Sequence, residues 1–241
     1  MKRRLCVNGF ETEACYADET VETVFFPLLD DLNRRYTQAG HRQIVFLAGP
    51  PAAGKSTLAL FLEELSAEKG YAPLQALGMD GFHYPNAYLQ THSTVRNGET
   101  ILLARIKGSP QTYDVQNMEA LLGRIRKDFE AGRPCTDRWP AYDRNIHDVV
   151  PEKYPITGEI LLIEGNYLLL DDPSWASLHT CADATVMVRC REEALQERLV
   201  FRKMRGGMER EAAVRWYEQN DRENIMTVLQ KSRAADHEIV L

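Results

Sequence analysis

The apolar residues of the chain form short uninterrupted runs that alternate with longer stretches of helical periodicity. Uninterrupted runs are typical of strands buried on both faces of a parallel sheet, and they lie at 44–48, 74–77, 160–163, 185–188 and 239–241. Periodic stretches at 56–69, 115–131 and 192–204 predict helices between them. Strands that alternate with helices indicate βαβ units. We therefore predict an α/β fold with a mostly parallel, doubly wound sheet of about five strands.

The N-terminal segment has a different pattern. Residues 3–17 predict two short strands joined at Asn8-Gly9, which is a favoured hairpin turn. An apolar face over 18–39 predicts a helix that contains Pro27 as a potential kink, and Gly40 is a plausible end for it. Much later, five prolines and glycines within 133–158 predict a loop.

Length and composition favour one globular domain over 1–241, with the hairpin and helix in 1–42 and the core in 43–241. The net charge of −6 disfavours nucleic-acid binding, which needs a basic surface. The five cysteines are scattered without a CxxC pair, which argues against disulfides and zinc. No apolar run approaches the length of a membrane span. We expect a cytoplasmic protein with neither a nucleic-acid nor a membrane partner, and homodimerisation stays open.

A glycine-rich motif follows the run at 44–48 and precedes an apolar helix. It fits the pattern G-x-x-x-x-G-K-[ST], in which backbone N–H groups cradle phosphates, a lysine reaches the β and γ phosphates and a hydroxyl binds Mg²⁺. A glycine-rich turn without a ligand would not need lysine and serine at these places. The motif thus predicts ATP and Mg²⁺ as cofactors on a P-loop NTPase-type three-layer sandwich. Its residues are Gly49, Pro50, Pro51, Ala52, Ala53, Gly54, Lys55 and Ser56, with Thr57 following.

Two carboxylates follow other predicted strands, at the sheet edge where ligands of parallel sheets bind. Asp80 comes after 74–79, and Glu164 comes after 160–163. A kinase that acts on an alcohol gains from a carboxylate that orients the hydroxyl and accepts its proton. We assign that role to Asp80 and Mg²⁺ binding, directly or through water, to Glu164. The two roles could be exchanged, and either residue could instead cap a turn or end a strand beside a glycine.

Arginines recur on one face of the predicted helix at 192–204. The spacing of Arg191, Arg198, Arg202 and Arg205 places them near one another, and Gly206-Gly207 then ends the helix. Arginines carried by a lid can neutralise the transferred phosphoryl group. We predict a lid at about 198–211, with Arg202 and Arg205 as its catalytic members. The alternative is a solvated face balanced by nearby glutamates.

Several segments together resemble the uridine kinase, pantothenate kinase and phosphoribulokinase superfamily of P-loop kinases. The likeness covers roughly 43–241 and extends to the bacterial nucleoside or nucleotide kinase family, including proteins called fructose transport system kinases. It implies that Asp80 is the catalytic base and that the Pro-x-Tyr segment lines the acceptor site. The matching segments are Met79-Asp80-Gly81-Phe82-His83-Tyr84, Gly108-Ser109-Pro110-Gln111-Thr112-Tyr113-Asp114, Pro140-Ala141-Tyr142-Asp143-Arg144 and Ile163-Glu164-Gly165-Asn166-Tyr167.

Aromatic and cationic residues fall in the segments expected near the acceptor. Aromatic walls with one or two cations suit a small polar or anionic molecule, and Arg144 could pair with a phosphate or carboxylate. Each of these residues could equally be a packed aromatic or a surface cation. The substrate-binding candidates are Asp80, Phe82, His83, Tyr113, Tyr142 and Arg144.

The sequence thus predicts an ATP-dependent kinase that transfers the γ-phosphoryl group to a hydroxyl of a small metabolite. A nucleoside, a sugar and a pantothenate-like alcohol all stay open as acceptors. One alternative is a nucleotide-dependent switch without an acceptor pocket. Another is a metabolite sensor that binds its ligand without turnover.

Overall fold

A computed structural model describes residues 1–96 and 98–241 of the chain. Within these residues, five parallel strands form the central sheet in the order β11-β10-β3-β9-β4. Three antiparallel hairpins, β1-β2, β5-β6 and β7-β8, lie outside it. The strands are β1 (Lys2–Val7), β2 (Phe10–Cys15), β3 (Gln43–Ala48), β4 (Leu74–Gly78), β5 (Ser93–Arg96), β6 (Glu99–Leu102), β7 (Arg138–Asp143), β8 (Asp148–Pro155), β9 (Ile160–Gly165), β10 (Ala184–Arg189) and β11 (His237–Val240).

Helices cover both faces of the sheet. They are α1 (Asp18–Thr20), α2 (Phe26–Ala39), α3 (Lys55–Glu68), α4 (Asn86–Leu89), α5 (Val115–Glu130), α6 (Glu192–Arg205), α7 (Arg210–Trp216) and α8 (Arg222–Lys231). Two π-helical turns, Val21–Phe25 and Tyr217–Asp221, join α1 to α2 and α7 to α8. Short 3₁₀ turns lie at Met79–Phe82, Leu103–Ile106, Pro110–Thr112 and Leu178–Cys181. No helix in the described part of the chain is both long enough and apolar enough to cross a membrane.

The central strands β3, β9 and β10 are apolar on both faces because both faces are covered. Val45 and Leu47 of β3 face a core that α2, α3 and α6 complete. Ile44 and Phe46 of the same strand face a second core, which α5 and the segment after β9 complete. All six residues of β3 are buried. The uninterrupted apolar runs are therefore explained by a three-layer sandwich, and the predicted fold class is confirmed.

The N-terminal hairpin forms as predicted and is anchored to α3. Leu5 and Ala14 are buried in the first core. The Arg3 guanidinium lies 5.6 Å from the centre of the Phe61 ring and 2.5 Å from Glu68. Tyr16 packs edge-on against Phe61, with 4.7 Å between ring centres. The hairpin is thus part of the folded core.

The prediction of a loop over 133–158 was wrong, because β7 and β8 form a hairpin there. The hairpin pairs with no other strand in the described structure, so each strand has a free edge that tolerates proline. Pro140 lies at an irregularity in the pairing between Trp139 and Ala141. Trp139 is fully buried and donates from its indole N–H to the Gly78 carbonyl at 2.8 Å. The helical region over 210–231 and the β5-β6 hairpin were not predicted either.

Candidate active site

The glycine-rich motif forms a tight loop between β3 and α3, as predicted. Gly54 has a φ of +91° and Ala52 has a φ of +63°, so the backbone turns through left-handed conformations. Gly49 has a different requirement: a Cβ there would lie 2.6 Å from the Val188 carbonyl oxygen of β10. Helix α3 begins directly after the loop, so its free N–H groups face the loop. These features fit a triphosphate cradle.

Lys55 is buried at the first position of α3, where it is 6% exposed. Its Nζ donates to the Pro50 carbonyl at 2.9 Å and to Asn166 Oδ1 at 2.7 Å. Burial lowers the pKa of the ammonium, although the carboxylates of Glu164 and Asp80 act in the opposite direction. Asn166 was not among the predicted site residues. Its signal was its place directly after Glu164-Gly165, at the end of a strand that neighbours β3.

Ser56 and Glu164 are brought together by the register of the sheet. Glu164 pairs with Leu47 of β3 and with Gly78 of β4. The Ser56 hydroxyl donates to Glu164 Oε1 at 2.7 Å. Burial raises the pKa of Glu164, and the nearby Lys55 ammonium opposes this effect. A hydroxyl beside a partly buried carboxylate is a donor set that suits Mg²⁺.

Asp80 lies in the 3₁₀ turn Met79–Phe82, directly beyond β4. The Tyr113 hydroxyl donates to Asp80 Oδ1 at 3.1 Å, and His83 Nδ1 lies 2.9 Å from the Asp80 carbonyl oxygen. Since a carbonyl only accepts, we assign the His83 proton to Nδ1. Burial lowers the pKa of His83, whereas burial and the Asp80 carboxylate raise the pKa of Tyr113. Asp80 is therefore positioned by two neutral side chains, with the Tyr113 hydroxyl at its carboxylate and the His83 ring at its backbone carbonyl.

Three of the residues expected at the acceptor lie behind Asp80 instead. Phe82 is 3% exposed and packs edge-on against Trp139, with 4.9 Å between ring centres. His83 and Tyr113 are buried against each other, with ring centres 3.8 Å apart. None of the three is among the residues that line the cavity beside Asp80. The geometry gives them packing and hydrogen-bonding contacts that fix the position of the carboxylate.

A cavity of about 560 Å³ opens beside Asp80. Its lining includes Ser56 and Glu164, together with Tyr142 and Arg144 of the β7-β8 hairpin. Residues 6–10, at the tip of the N-terminal hairpin, also line the cavity. Sequence reasoning placed Tyr142 and Arg144 near the acceptor but found no role for the hairpin, since nothing in residues 6–10 resembles a site.

Known proteins resemble this chain over most of its length. The Escherichia coli protein YggC is 38% identical over 238 residues, which cover 98% of this chain and 94% of YggC. A protein provisionally named a uridine kinase in Schizosaccharomyces pombe is 28% identical over 206 residues, or 81% of this chain and 83% of that protein. A crystal structure from Silicibacter sp., provisionally named a fructose transport system kinase, superposes with a TM-score of 0.72 at 28% identity, covering 88% and 98% of the two chains.

The chain belongs to the P-loop kinases, in one family with YggC. The pantothenate kinase of Rhizobium etli is 34% identical over 125 residues, which cover 51% of this chain but 34% of that enzyme. No family model matches the chain.

The arginines of α6 in this P-loop kinase differ in what they contact. Arg198 Nη1 donates to the Ala52 carbonyl of the phosphate loop at 3.2 Å. Arg202 is exposed as a whole residue, but desolvation of its guanidinium and the nearby Arg144 guanidinium lower its pKa, while Asp221 and Asp80 act in the opposite direction. Arg205 is exposed at the end of α6, before Gly206. Arg198 therefore touches the loop directly, although Arg202 and Arg205 were the preferred candidates.

Proposed function

We propose that this P-loop kinase transfers the γ-phosphoryl group of ATP to a hydroxyl of a small metabolite. The observation that carries the proposal is the placement of Asp80 on the wall of a cavity that also contains Ser56 and Glu164. A carboxylate that faces an acceptor-sized cavity beside a phosphate loop supports transfer to an alcohol over simple nucleotide hydrolysis.

The residues have complementary roles in this reaction. Lys55 and the N–H groups of the loop 49–56 would hold the phosphates, and Ser56 with Glu164 would hold Mg²⁺. Bound Mg²⁺ and ATP supply the phosphoryl donor and neutralise part of its charge. Asp80 orients the acceptor hydroxyl and accepts its proton as the new O–P bond forms and ADP leaves. Arg202 and Arg205 would neutralise the phosphoryl oxygens when the lid closes.

The direct test is a metabolite screen with ATP and Mg²⁺, read by mass spectrometry. Uridine, pantothenate and fructose belong in the panel, because relatives carry these words in their names. We expect one phosphorylated product and one ADP for each turnover. ATP consumption that no metabolite changes would favour a nucleotide switch. Tight binding of a metabolite without any product would favour a sensor.

Two variants separate the roles of the phosphate loop and the base. Lys55→Ala should lose affinity for ATP, since the buried ammonium would no longer face the phosphates. Asp80→Asn should bind ATP normally by calorimetry and lose about 100-fold or more in kcat, which is typical of a missing general base. Near-normal kcat for Asp80→Asn on the true substrate would show that another group is the base.

A further inference from the structure

Two cations on the β7-β8 hairpin face the cavity without a counter-ion. Arg144 is partly buried and lies directly after β7, and Lys153 lies within β8. Both line the cavity. Within the described residues, neither the Arg144 guanidinium nor the Lys153 ammonium has a hydrogen bond or an ion pair. Partly buried arginines elsewhere are paired, for example Arg126 with Asp183 at 2.8 Å.

The carboxylates on the cavity wall are already engaged by other donors. Each accepts a hydrogen bond from a hydroxyl or a backbone N–H group, and within the described residues none forms a hydrogen bond or an ion pair with the side chain of Arg144 or Lys153. They are Glu63 with Ala76 N, Asp80 with Tyr113 Oη, Asp143 with Asn145 N, and Glu164 with Ser56 Oγ. The Arg144 guanidinium acts on Glu164 only through space, where it opposes the rise in the pKa of that carboxyl. Its N–H donors are therefore left to bind a ligand group.

A ligand bound to these two cations would lie on the acceptor side of the site. Asp80 and Glu164 line the cavity, but residues 49–55 of the phosphate loop do not. The hairpin is also fixed close to Asp80, since the Pro140 backbone lies against Gly81. A molecule whose hydroxyl reaches Asp80 would therefore extend toward Arg144 and away from the nucleotide.

We propose that the acceptor is an anion, an alcohol that carries a carboxylate or phosphate group paired with Arg144, with Lys153 as a second cation. A guanidinium binds either group through two parallel hydrogen bonds, which gives orientation as well as affinity. The inference rests on the proposed kinase function and names the class of its acceptor. It excludes neutral nucleosides and free sugars as the preferred substrate.

The test uses matched pairs of alcohols that differ in charge. D-Glycerate with glycerol, and pantothenate with panthenol, probe a carboxylate. Fructose 6-phosphate with fructose probes a phosphate. Binding is measured by calorimetry with Mg²⁺ and a non-hydrolysable ATP analogue, and transfer is measured separately with ATP. We expect at least one charged member to bind 10-fold or more tightly than its neutral partner.

The matched variants are Arg144→Gln and Arg105→Gln, which remove the same charge. Arg105 is exposed and does not line the cavity. Arg144→Gln should reduce the preference for the charged member to less than about 3-fold, and Arg105→Gln should leave it unchanged. The proposal is overturned by equal binding within every pair, by failure of all charged members to bind, or by Arg144→Gln weakening both members equally. The last result would place Arg144 at the transferred phosphoryl group.

The two proposals fail in different ways. Charge-selective binding that depends on Arg144, without any phosphorylated product, would refute the kinase function and support the anion site. A product formed only from neutral acceptors would support the kinase function and refute the anion site.

Discussion

Glu164, the carboxylate that we propose as a holder of Mg²⁺, also has a shifted pKa. Its pKa is raised by burial, so the carboxylate takes up a proton at a higher pH than an ordinary glutamate. At the proposed site a proton and Mg²⁺ would compete for the same oxygen atoms, because a metal binds the ionised form. The metal requirement of the enzyme should therefore increase as the pH falls through this raised pKa.

We predict that a higher Mg²⁺ concentration moves the acid limb of the kcat/KM profile to lower pH. Glu164→Gln should raise the Mg²⁺ concentration needed for half-maximal activity by about 10- to 100-fold, the usual range for a disturbed metal shell, and should abolish this shift. Glu63→Gln is the control, since burial also raises the pKa of Glu63 but it does not contact Ser56. If the acid limb of the kcat/KM profile of the natural protein does not move with Mg²⁺ concentration, Glu164 is excluded from the metal site.

At the scale of single residues, the sequence predicts the position of a side chain where a motif fixes its spacing from the strand ends. Lys55, Ser56, Asp80 and Glu164 meet at one edge of the sheet, as expected. Asn166 was missed because its contact with Lys55 depends on the backbone path after β9. The contact of Arg198 with Ala52 depends on how α6 is placed against the loop, and helical spacing alone does not give that placement.

At the scale of elements, the predictions succeeded where a buried pattern is continuous and failed where packing overrides local signals. The five sheet strands were found because each contains a short apolar run, which in β3, β9 and β10 is buried on both faces. The β7-β8 hairpin was missed because its prolines are typical of a loop, whereas tertiary contacts position it. These contacts include the buried Trp139 and one close backbone contact. That contact is between the 3₁₀ turn of Asp80 and β7, where a Cβ on Gly81 would lie 2.3 Å from the Pro140 carbonyl oxygen.

Gly81→Ala should therefore separate the Asp80 turn from the β7-β8 hairpin. A backbone clash cannot be relieved by a side-chain rotation, so we expect a loss of about 1–3 kcal/mol in unfolding free energy and a fall in kcat through displacement of Asp80. Gly123→Ala is the control, because α5 has open space there and alanine favours a helix by about 1 kcal/mol. Urea titration and steady-state kinetics measure both effects. Unchanged stability and kcat in Gly81→Ala would contradict the described contact.

At the scale of the whole molecule, the cavity is assembled from parts that are distant in sequence. Its lining comes from α3 and β9, from the β7-β8 hairpin and from the tip of the N-terminal hairpin. The sequence predicts the presence of the hairpin from Asn8-Gly9, but its position depends on the packing of Leu5, Ala14 and Tyr16 against the core. Neither periodicity nor a motif can predict that docking.

The hairpin tip should influence the acceptor without affecting the nucleotide. Phe10 is 59% exposed and lines the cavity, so its replacement removes contact area while the core contacts of Leu5 and Ala14 stay in place. Phe10→Ser should raise KM for the acceptor about 3- to 10-fold, since losing a partly buried aromatic contact costs on the order of 1 kcal/mol. KM for ATP should not change. Val95→Ser is the control, because Val95 is 71% exposed on the β5-β6 hairpin and does not line the cavity. Equal effects of the two substitutions on acceptor KM, or a change in ATP KM for Phe10→Ser, would show that the hairpin only stabilises the fold.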